Sequence, residues 1–245
     1  FFDYLSAKAK DAGAQMVWGF GVHSFSNARL LAFEPDAKGA RVEAMVGSQH
    51  MKYRLSMPGK HWALNSVGVL AAAHAMGADL EQAAASLVSV TPPKGRGQIF
   101  AIRLDDGTLT VTDETYNASP VAMRAAFNVL ASQKPGRGGR RIVVLGDMLE
   151  LGDDSVHAHL ALADDIKAHD FDQVFACGQY MSDILDALPQ DMQGARAATS
   201  QQLAAVVATK VRGGDLVMVK GSAGSHMGHI IEALKALGPL ETGSV

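Results

Sequence analysis

Three apolar runs that each end directly in a glycine constrain this chain most tightly: Arg141–Leu145 before Gly146, Phe171–Cys177 before Gly178, and Asp215–Lys220 before Gly221. Apolar runs without alternation suit strands covered on both faces. Helical periodicity fills the gaps between them. Val121–Ala131 sets Met123, Ala126, Phe127 and Leu130 on one stripe. Further helices are expected over Val156–Ala168, over Gln201–Val211 with Leu203, Val206 and Val207 on one face, and over Met227–Leu237 with Met227, Ile230, Ile231 and Leu234 on one face. Strand and helix in alternation predict a doubly wound, mostly parallel, Rossmann-like α/β domain. Glycine at a strand exit lets the backbone turn sharply and lets a ligand come close. Ligands of such folds bind at the carboxyl edge of the sheet.

Upstream, the pattern changes. Phe2–Lys10 suits the end of a helix and Gln15–Phe20 a short strand. Ala28–Glu34, Gly39–Val46 and Met51–Met57 alternate imperfectly between turn residues, as antiparallel strands do. Helices are expected over His61–Met76 and, behind an Asp79 cap, over Leu80–Val88. Thr91-Pro-Pro-Lys-Gly-Arg-Gly97 reads as a linker, because proline and glycine stop a helix. Beyond it, Gln98–Leu104 and Thr108–Thr112 flank Asp105-Asp-Gly107, a hairpin signal.

Composition removes several function classes. A net charge of −3 offers no basic field, so nucleic acid is not an expected partner. The single cysteine, Cys177, excludes an internal disulfide framework and fits a reducing cytoplasm. No stretch approaches the roughly 18 apolar residues of a spanning helix, so no membrane insertion is expected. The first ten residues lack the features of a signal peptide.

Five motifs together resemble the Mur ligase family. Gly59-Lys60-His61 with Asn65 and an Ala-rich helix resembles a family segment whose Asn binds adenine, which implies that role for Asn65. Pro93-Lys-Gly-Arg-Gly-Gln98 resembles the interdomain Gly-Arg-Gly-Gln, whose Arg reaches the nucleotide phosphates, so Arg96 is the expected catalytic and phosphate-binding residue. A guanidinium is always charged and takes two oxygens at once. Asp113-Glu-Thr-Tyr-Asn-Ala-Ser-Pro120 is the most specific match, with Ser119 where the family has Asn. By register, Glu114 and then Asp113 would hold the ATP ribose or base. Tyr116 and Asn117 would face the cleft and contact the nucleotide, Asn117 also the substrate. Gly146-Asp-Met-Leu-Glu-Leu-Gly152, with His159 following, points within the family to the addition of D-alanyl-D-alanine. There Asp147 or Glu150 would hold the incoming ammonium. Val219-Lys-Gly-Ser222 matches the family's Val-Lys-Gly-Ser, making Lys220 and Ser222 substrate contacts at a helix start. Ala223 and His226 occupy the stretch where members usually carry Arg.

The resemblance implies an ATP-dependent amide ligase of peptidoglycan precursor synthesis. Its partners would be UDP-N-acetylmuramoyl-tripeptide and D-alanyl-D-alanine, its cofactors ATP and Mg²⁺, its state a cytoplasmic monomer. The expected domains are 1–92, the latter part of an α/β ATPase domain; 93–97, a hinge; and 98–245, the Rossmann-like ligase domain. The family's Gly-Lys-Thr phosphate loop and its metal ligands have no match. Gly59-Lys60-His61 lacks the glycine spacing and the Ser or Thr that such a loop needs. The chain is therefore expected to be the C-terminal portion of the enzyme, inactive alone, with no metal ligand of its own. A folylpolyglutamate-type ligase and a non-catalytic binding module are the alternatives. The Asp-Met-Leu-Glu-Leu-Gly run argues against the first, and a Gly-Lys-Thr loop encoded upstream would argue against the second.

Overall fold

A computed structural model of the chain describes residues 2–36 and 39–241. The outer ends of the expected domains, Phe1 and residues 242–245, lie outside them. The backbone clusters into two compact units, Phe1–Thr91 and Pro92–Val245.

The first unit runs α1 (Phe2–Asp11), β1 (Phe20–Gly21), β2 (Ala28–Asp36), β3 (Gly39–Val46), β4 (Gln49–Leu55), α2 (Lys60–Ala75) and α3 (Leu80–Ser86). Its sheet has the order β1-β2-β3-β4. Strands β2, β3 and β4 are antiparallel, and β1 pairs parallel to β2. Alternation decides which residues enter the core. Val42, Ala44 and Val46 of β3, with Met51, Tyr53 and Leu55 of β4, are buried with Ala63, Val67, Leu70 and Ala71 of α2. The residues between them, Arg41, Glu43, Lys52 and Arg54, form ion pairs on the other face. Two expectations shift. Strand β4 starts two residues early, because Val46 pairs directly with Gln49 across the Gly47-Ser48 turn. The Gln15–Phe20 strand shrinks to Phe20–Gly21, whose only ladder is to Ala28 and Arg29.

The second unit runs β5 (Gln98–Leu104), β6 (Gly107–Glu114), α4 (Pro120–Ser132), β7 (Arg141–Gly146), α5 (Ser155–Leu160), α6 (Leu162–Lys167), β8 (Gln173–Cys177), β9 (Gln193–Ala197), α7 (Ser200–Lys210), β10 (Leu216–Lys220) and α8 (Gly228–Lys235). Its sheet has the order β5-β6-β10-β7-β8-β9. Only β5 is antiparallel, through its hairpin to β6. Strands β6, β10, β7, β8 and β9 run parallel. This is the mixed α/β architecture with a parallel sheet that the apolar runs predict.

The two faces of the sheet explain the unbroken runs. Val143 and Leu145 of β7, Val174 and Ala176 of β8, and Leu216 and Met218 of β10 pack with Phe127, Leu130, Leu162 and Ile166 of α4 and α6. Their neighbours Ile142, Val144, Phe175, Val217 and Val219 pack with Leu203, Val207, Ile230 and Leu234 of α7 and α8. Successive apolar positions of these strands therefore meet a core on one face or the other. Burying an aliphatic side chain of this size contributes about 1.5–3 kcal/mol.

Strands β6 to β9 step towards one edge. The chain then returns and inserts β10 between β6 and β7. The exits of β6, β10 and β7 thus become neighbours, although β10 follows β6 by about a hundred residues.

Three details escape the periodicity. Strand β9 (Gln-Gly-Ala-Arg-Ala) has no apolar run; it is an edge strand. The expected 156–168 helix is divided at Ala161 into α5 and α6. Helix α8 starts at Gly228, because His226 sits in the left-handed region (φ 53°), which a right-handed helix cannot propagate. Among the described residues no helix is long and apolar enough to cross a membrane.

Candidate functional site

The exits of β6, β10 and β7 carry most of the singled-out residues, and burial separates them into two kinds. Some reach solvent; others hold the loops.

At the β6 exit, Asp113 is buried, and its Oδ1 accepts from the Thr115 amide (3.2 Å) and hydroxyl (2.7 Å). Its carboxylate is thereby used to fold the turn. Glu114, the next residue, is half-buried and pairs with Lys220 at 3.3 Å. Tyr116 and Asn117 are exposed. Ser119, the departure from the family motif, caps α4 by accepting from the Ala122 amide, and Pro120 occupies the first turn.

Arg96 joins this cluster. Its guanidinium lies 4.0 Å from the centre of the Tyr116 ring, a cation–π stack that aims an exposed side chain. Gly95 and Gly97 are both bonded to the exit of β6. The Gly97 amide donates to the Asp113 carbonyl (2.8 Å), and the Tyr116 amide donates to the Gly95 carbonyl (3.0 Å). Gly95 adopts φ 74°, and a Cβ there would press on Tyr116 and Thr115 at 3.0–3.1 Å. These bonds tie the strap to β6 of the second unit.

At the β10 exit, Lys220 is buried. Its Nζ donates to Glu114 Oε2 (3.3 Å) and to the Asn117 carbonyl (2.8 Å). Burial pushes this ammonium below the ordinary lysine value, Glu114 holds it partly up, and Arg96 pushes it further down. Ser222 is also buried. Its amide donates to the Asp147 carbonyl (3.0 Å), and its hydroxyl accepts from the Leu149 amide (2.9 Å).

At the β7 exit, the Asp147 carboxylate is buried and accepts three backbone amides: Gln179 (2.8 Å), Tyr180 (3.1 Å) and Met181 (2.7 Å). Those amides open the 3₁₀ turn at Met181–Ala187, so Asp147 acts as its cap. Gly178 (φ 111°) is required here, since any Cβ would overlap that carboxylate. His159 is fully buried. One ring nitrogen accepts from the Met148 amide (2.8 Å) and the other bonds the Ser155 carbonyl (2.6 Å). Glu150 differs from all of these. It is exposed and has φ 65°. Among the described residues, Glu150 and His226 are the non-glycine residues with positive φ. Such backbone costs about 1–3 kcal/mol and clusters at functional sites.

A cavity of about 390 Å³ lies along this edge, lined by Asp147, Leu149, Gly178, Ser200, His226 and His229 among others. Ser200 sits at the start of α7, and its hydroxyl bonds the His226 carbonyl at 2.9 Å. Sequence reasoning missed this rim, because no motif links Ser200 to the loop after β10. Two hollows on the first unit's sheet are comparable in volume, about 400 and 460 Å³. Charges of both signs line each, paired in the first as Glu34–Arg41 and Glu43–Lys52, so they offer no charge of a single sign. Asn65 belongs to the first unit, exposed on the second turn of α2. Among the described residues, no group of three or more His, Cys, Asp or Glu is assembled to hold a metal ion.

Cys177 is buried in the wall of the cavity. Burial, with the nearby Asp147 charge, pushes its thiol from 9.0 up to about 11. The folded chain should therefore resist iodoacetamide until it unfolds. A raised folded pKa gives a contribution fully present below the unfolded value and lost as pH rises. Between pH 9 and 11 the second unit should lose about 2–3 kcal/mol at 1.36 kcal/mol per unit. Burial also raises the Tyr53 hydroxyl and lowers the Lys220 ammonium, so the thiol has to be separated from both. Denaturant titrations of parent and Cys177→Ala compared at each pH isolate the thiol, and equal slopes would disprove the assignment.

Comparison with known proteins places this arrangement. The family model described as "Mur ligase, glutamate ligase domain" matches residues 95–223. The UDP-N-acetylmuramoyl-tripeptide–D-alanyl-D-alanine ligase of Escherichia coli (strain K12) is 27% identical over 232 residues, which is 92% of this chain and 48% of that protein. The enzyme of the same name from Mycobacterium tuberculosis (strain ATCC 25618 / H37Rv) is 32% identical over 205 residues, 75% of this chain and 39% of that protein. A crystal structure of MurF from Acinetobacter baumannii superposes with a TM-score of 0.77 at 26% identity, covering 96% of this chain and 50% of that one. The Thermotoga maritima MurF ligase in complex with ADP shares the fold, with a TM-score of 0.74 at 20% identity over 97% of this chain and 52% of that one. The chain spans about half the length of the curated relatives it matches.

Proposed function

We propose, from the premise that this chain belongs to the Mur ligase family, that it forms the C-terminal half of an ATP-dependent ligase joining D-alanyl-D-alanine to UDP-N-acetylmuramoyl-tripeptide. The observation that carries this reading is the pairing of two different clusters on one sheet edge. Arg96, Tyr116, Glu114 and Asn117 gather at the β6 exit, and the strained, exposed Glu150 follows the β7 exit. The first suits a nucleotide and the second suits an amine.

The roles follow from exposure and charge. Arg96, stacked on Tyr116, presents its guanidinium to phosphate oxygens as the tripeptide carboxylate attacks the terminal phosphorus of ATP and ADP leaves. Glu114 accepts from ribose hydroxyls. Asn65 keeps its proposed adenine role from the first unit. Glu150 holds the ammonium of the dipeptide until its amine attacks the acyl phosphate and expels phosphate. Asp147 and Ser222 shape the amine side through the backbone, and Asp113 shapes the nucleotide side. Mg²⁺ screens phosphate charge when bound. The described residues do not assemble its ligands, so no step here rests on it. A cytoplasmic location accords with the precursor's synthesis. The domain assignment proposed is an ATPase-domain portion over 1–92, a hinge over 93–97 and a ligase domain over 98–245.

A second reading, an acidic amino acid as amine donor, is favoured by the family model's description. One assay separates them. The 245-residue chain, which has no phosphate loop, should release phosphate only at background. In the full-length enzyme, Glu114→Ala should raise KM for ATP about tenfold or more. Glu150→Ala should raise KM for D-alanyl-D-alanine instead. Ligation of glutamate in place of the dipeptide, or a Glu150→Ala effect confined to ATP, would overturn this reading.

A further inference from the structure

We propose that Lys220 is a positioning residue that ties the nucleotide side of the sheet edge to its amine side. This rests on the reading that Glu114 faces the nucleotide.

The ammonium is too buried to meet a ligand: the Lys220 side chain is 2% exposed, against 17% for Glu114. It serves protein groups instead. Strands β10 and β6 pair Lys220 directly with Glu114, so the two side chains leave adjacent strands at one level. Nζ then donates to the Glu114 carboxylate and to the Asn117 carbonyl, spanning the whole nucleotide loop. Only Oε2 of Glu114 takes the lysine, so the carboxylate is oriented, not consumed. A buried amine with three donors and no acceptor is suited to this bridging.

Two residues further on, the same backbone grips the other side. The Ser222 amide and hydroxyl hold the Asp147 carbonyl and the Leu149 amide, immediately before Glu150. The linking Gly221 has no slack, since a Cβ there would meet Met227 at 2.7 Å and the Gly146 Cα at 3.2 Å. A shift of Glu114 on nucleotide binding therefore reaches the Asp147–Glu150 loop through Lys220, Gly221 and Ser222. The Arg96 guanidinium is close enough to repel the lysine, so neutralisation of Arg96 by phosphate would strengthen the tie.

Two measurements test this. On the 245-residue chain, Lys220→Met should speed amide hydrogen exchange at Tyr116, Leu149 and Ser222 together, by roughly tenfold or more for a lost charged hydrogen bond. In the full-length ligase, Lys220→Met and Glu114→Gln should each raise KM for ATP. The double variant should do no worse than either alone, because both act through one carboxylate. Lys220→Arg, which keeps the charge, should restore most of the loss. If Lys220→Met does not fold, Lys220→Met/Glu114→Met removes both buried charges together and should keep the raised KM. Exchange confined to the Tyr116 side, a normal KM in Lys220→Met beside a raised one in Glu114→Gln, or effects that multiply would each overturn the tie while leaving the ligase reading intact. Absence of ligation by the parent enzyme would overturn both.

Discussion

Asp215→Ala should lower the unfolding temperature of the second unit by roughly 6–20 °C. Asp215 lies immediately before β10, at the end of the sheet opposite the site, and is 0% exposed. Its carboxylate accepts from Arg140 Nε (3.2 Å) and Nη2 (2.7 Å) and from the Arg140 (2.9 Å) and Arg212 (3.0 Å) amides. Removing it leaves two backbone donors without their acceptor and a guanidinium that keeps only Gln173 and the Lys210 carbonyl. The Arg140 side chain is only 21% exposed, so water replaces little of the loss. Breaking a buried pair from one side costs about 3–5 kcal/mol. A unit of this size moves about 2–4 °C per kcal/mol. Asp215→Asn keeps an acceptor and should fall between parent and Ala. Calorimetry is the measurement, and a shift under 2 °C for Asp215→Ala would refute the account.

Arg96→Ala should raise KM for ATP and slow turnover in the full-length enzyme, by roughly ten- to hundredfold in kcat/KM. A charge-assisted contact is worth about 1.5–3 kcal/mol. Arg96 is exposed, yet it is held over Tyr116 at 4.0 Å on a strap bonded to Asp113 and Tyr116. That preorganisation separates it from an ordinary surface arginine. Arg96→Lys keeps the charge but loses the planar stack and the fork, so it should recover only part of the loss. Stability should barely change, because the side chain is solvated. ATP kinetics unaffected by Arg96→Ala would reduce the residue to a surface cation. A large fall in melting temperature would reassign it to structure.

The roles of the acids show where local pattern stops being informative. Asp113 and Glu114 are adjacent and chemically alike, as are Asp147 and Glu150 across two residues. In each pair one carboxylate is buried on backbone or hydroxyl donors and the other keeps exposure. Asp113 folds back onto its own turn while Glu114 meets Lys220 of the neighbouring strand, and nothing local reveals that Asp147 caps Met181, 34 residues away. Lys220 is similar. Its motif suggests a ligand contact, whereas insertion of β10 between β6 and β7 buries it against Glu114.

The parallel sheet, its two apolar faces, the hairpin before it and the family are all legible in the residues alone. Each is written in local terms: run length, period and consecutive motif residues. Tertiary structure alone decided the strand order, edge strand β9, the Asp215 hub and which polar groups meet solvent. Those depend on contacts between residues up to about a hundred positions apart, such as Glu114 and Lys220. A periodicity records which face of an element is apolar, but not which distant element will cover it.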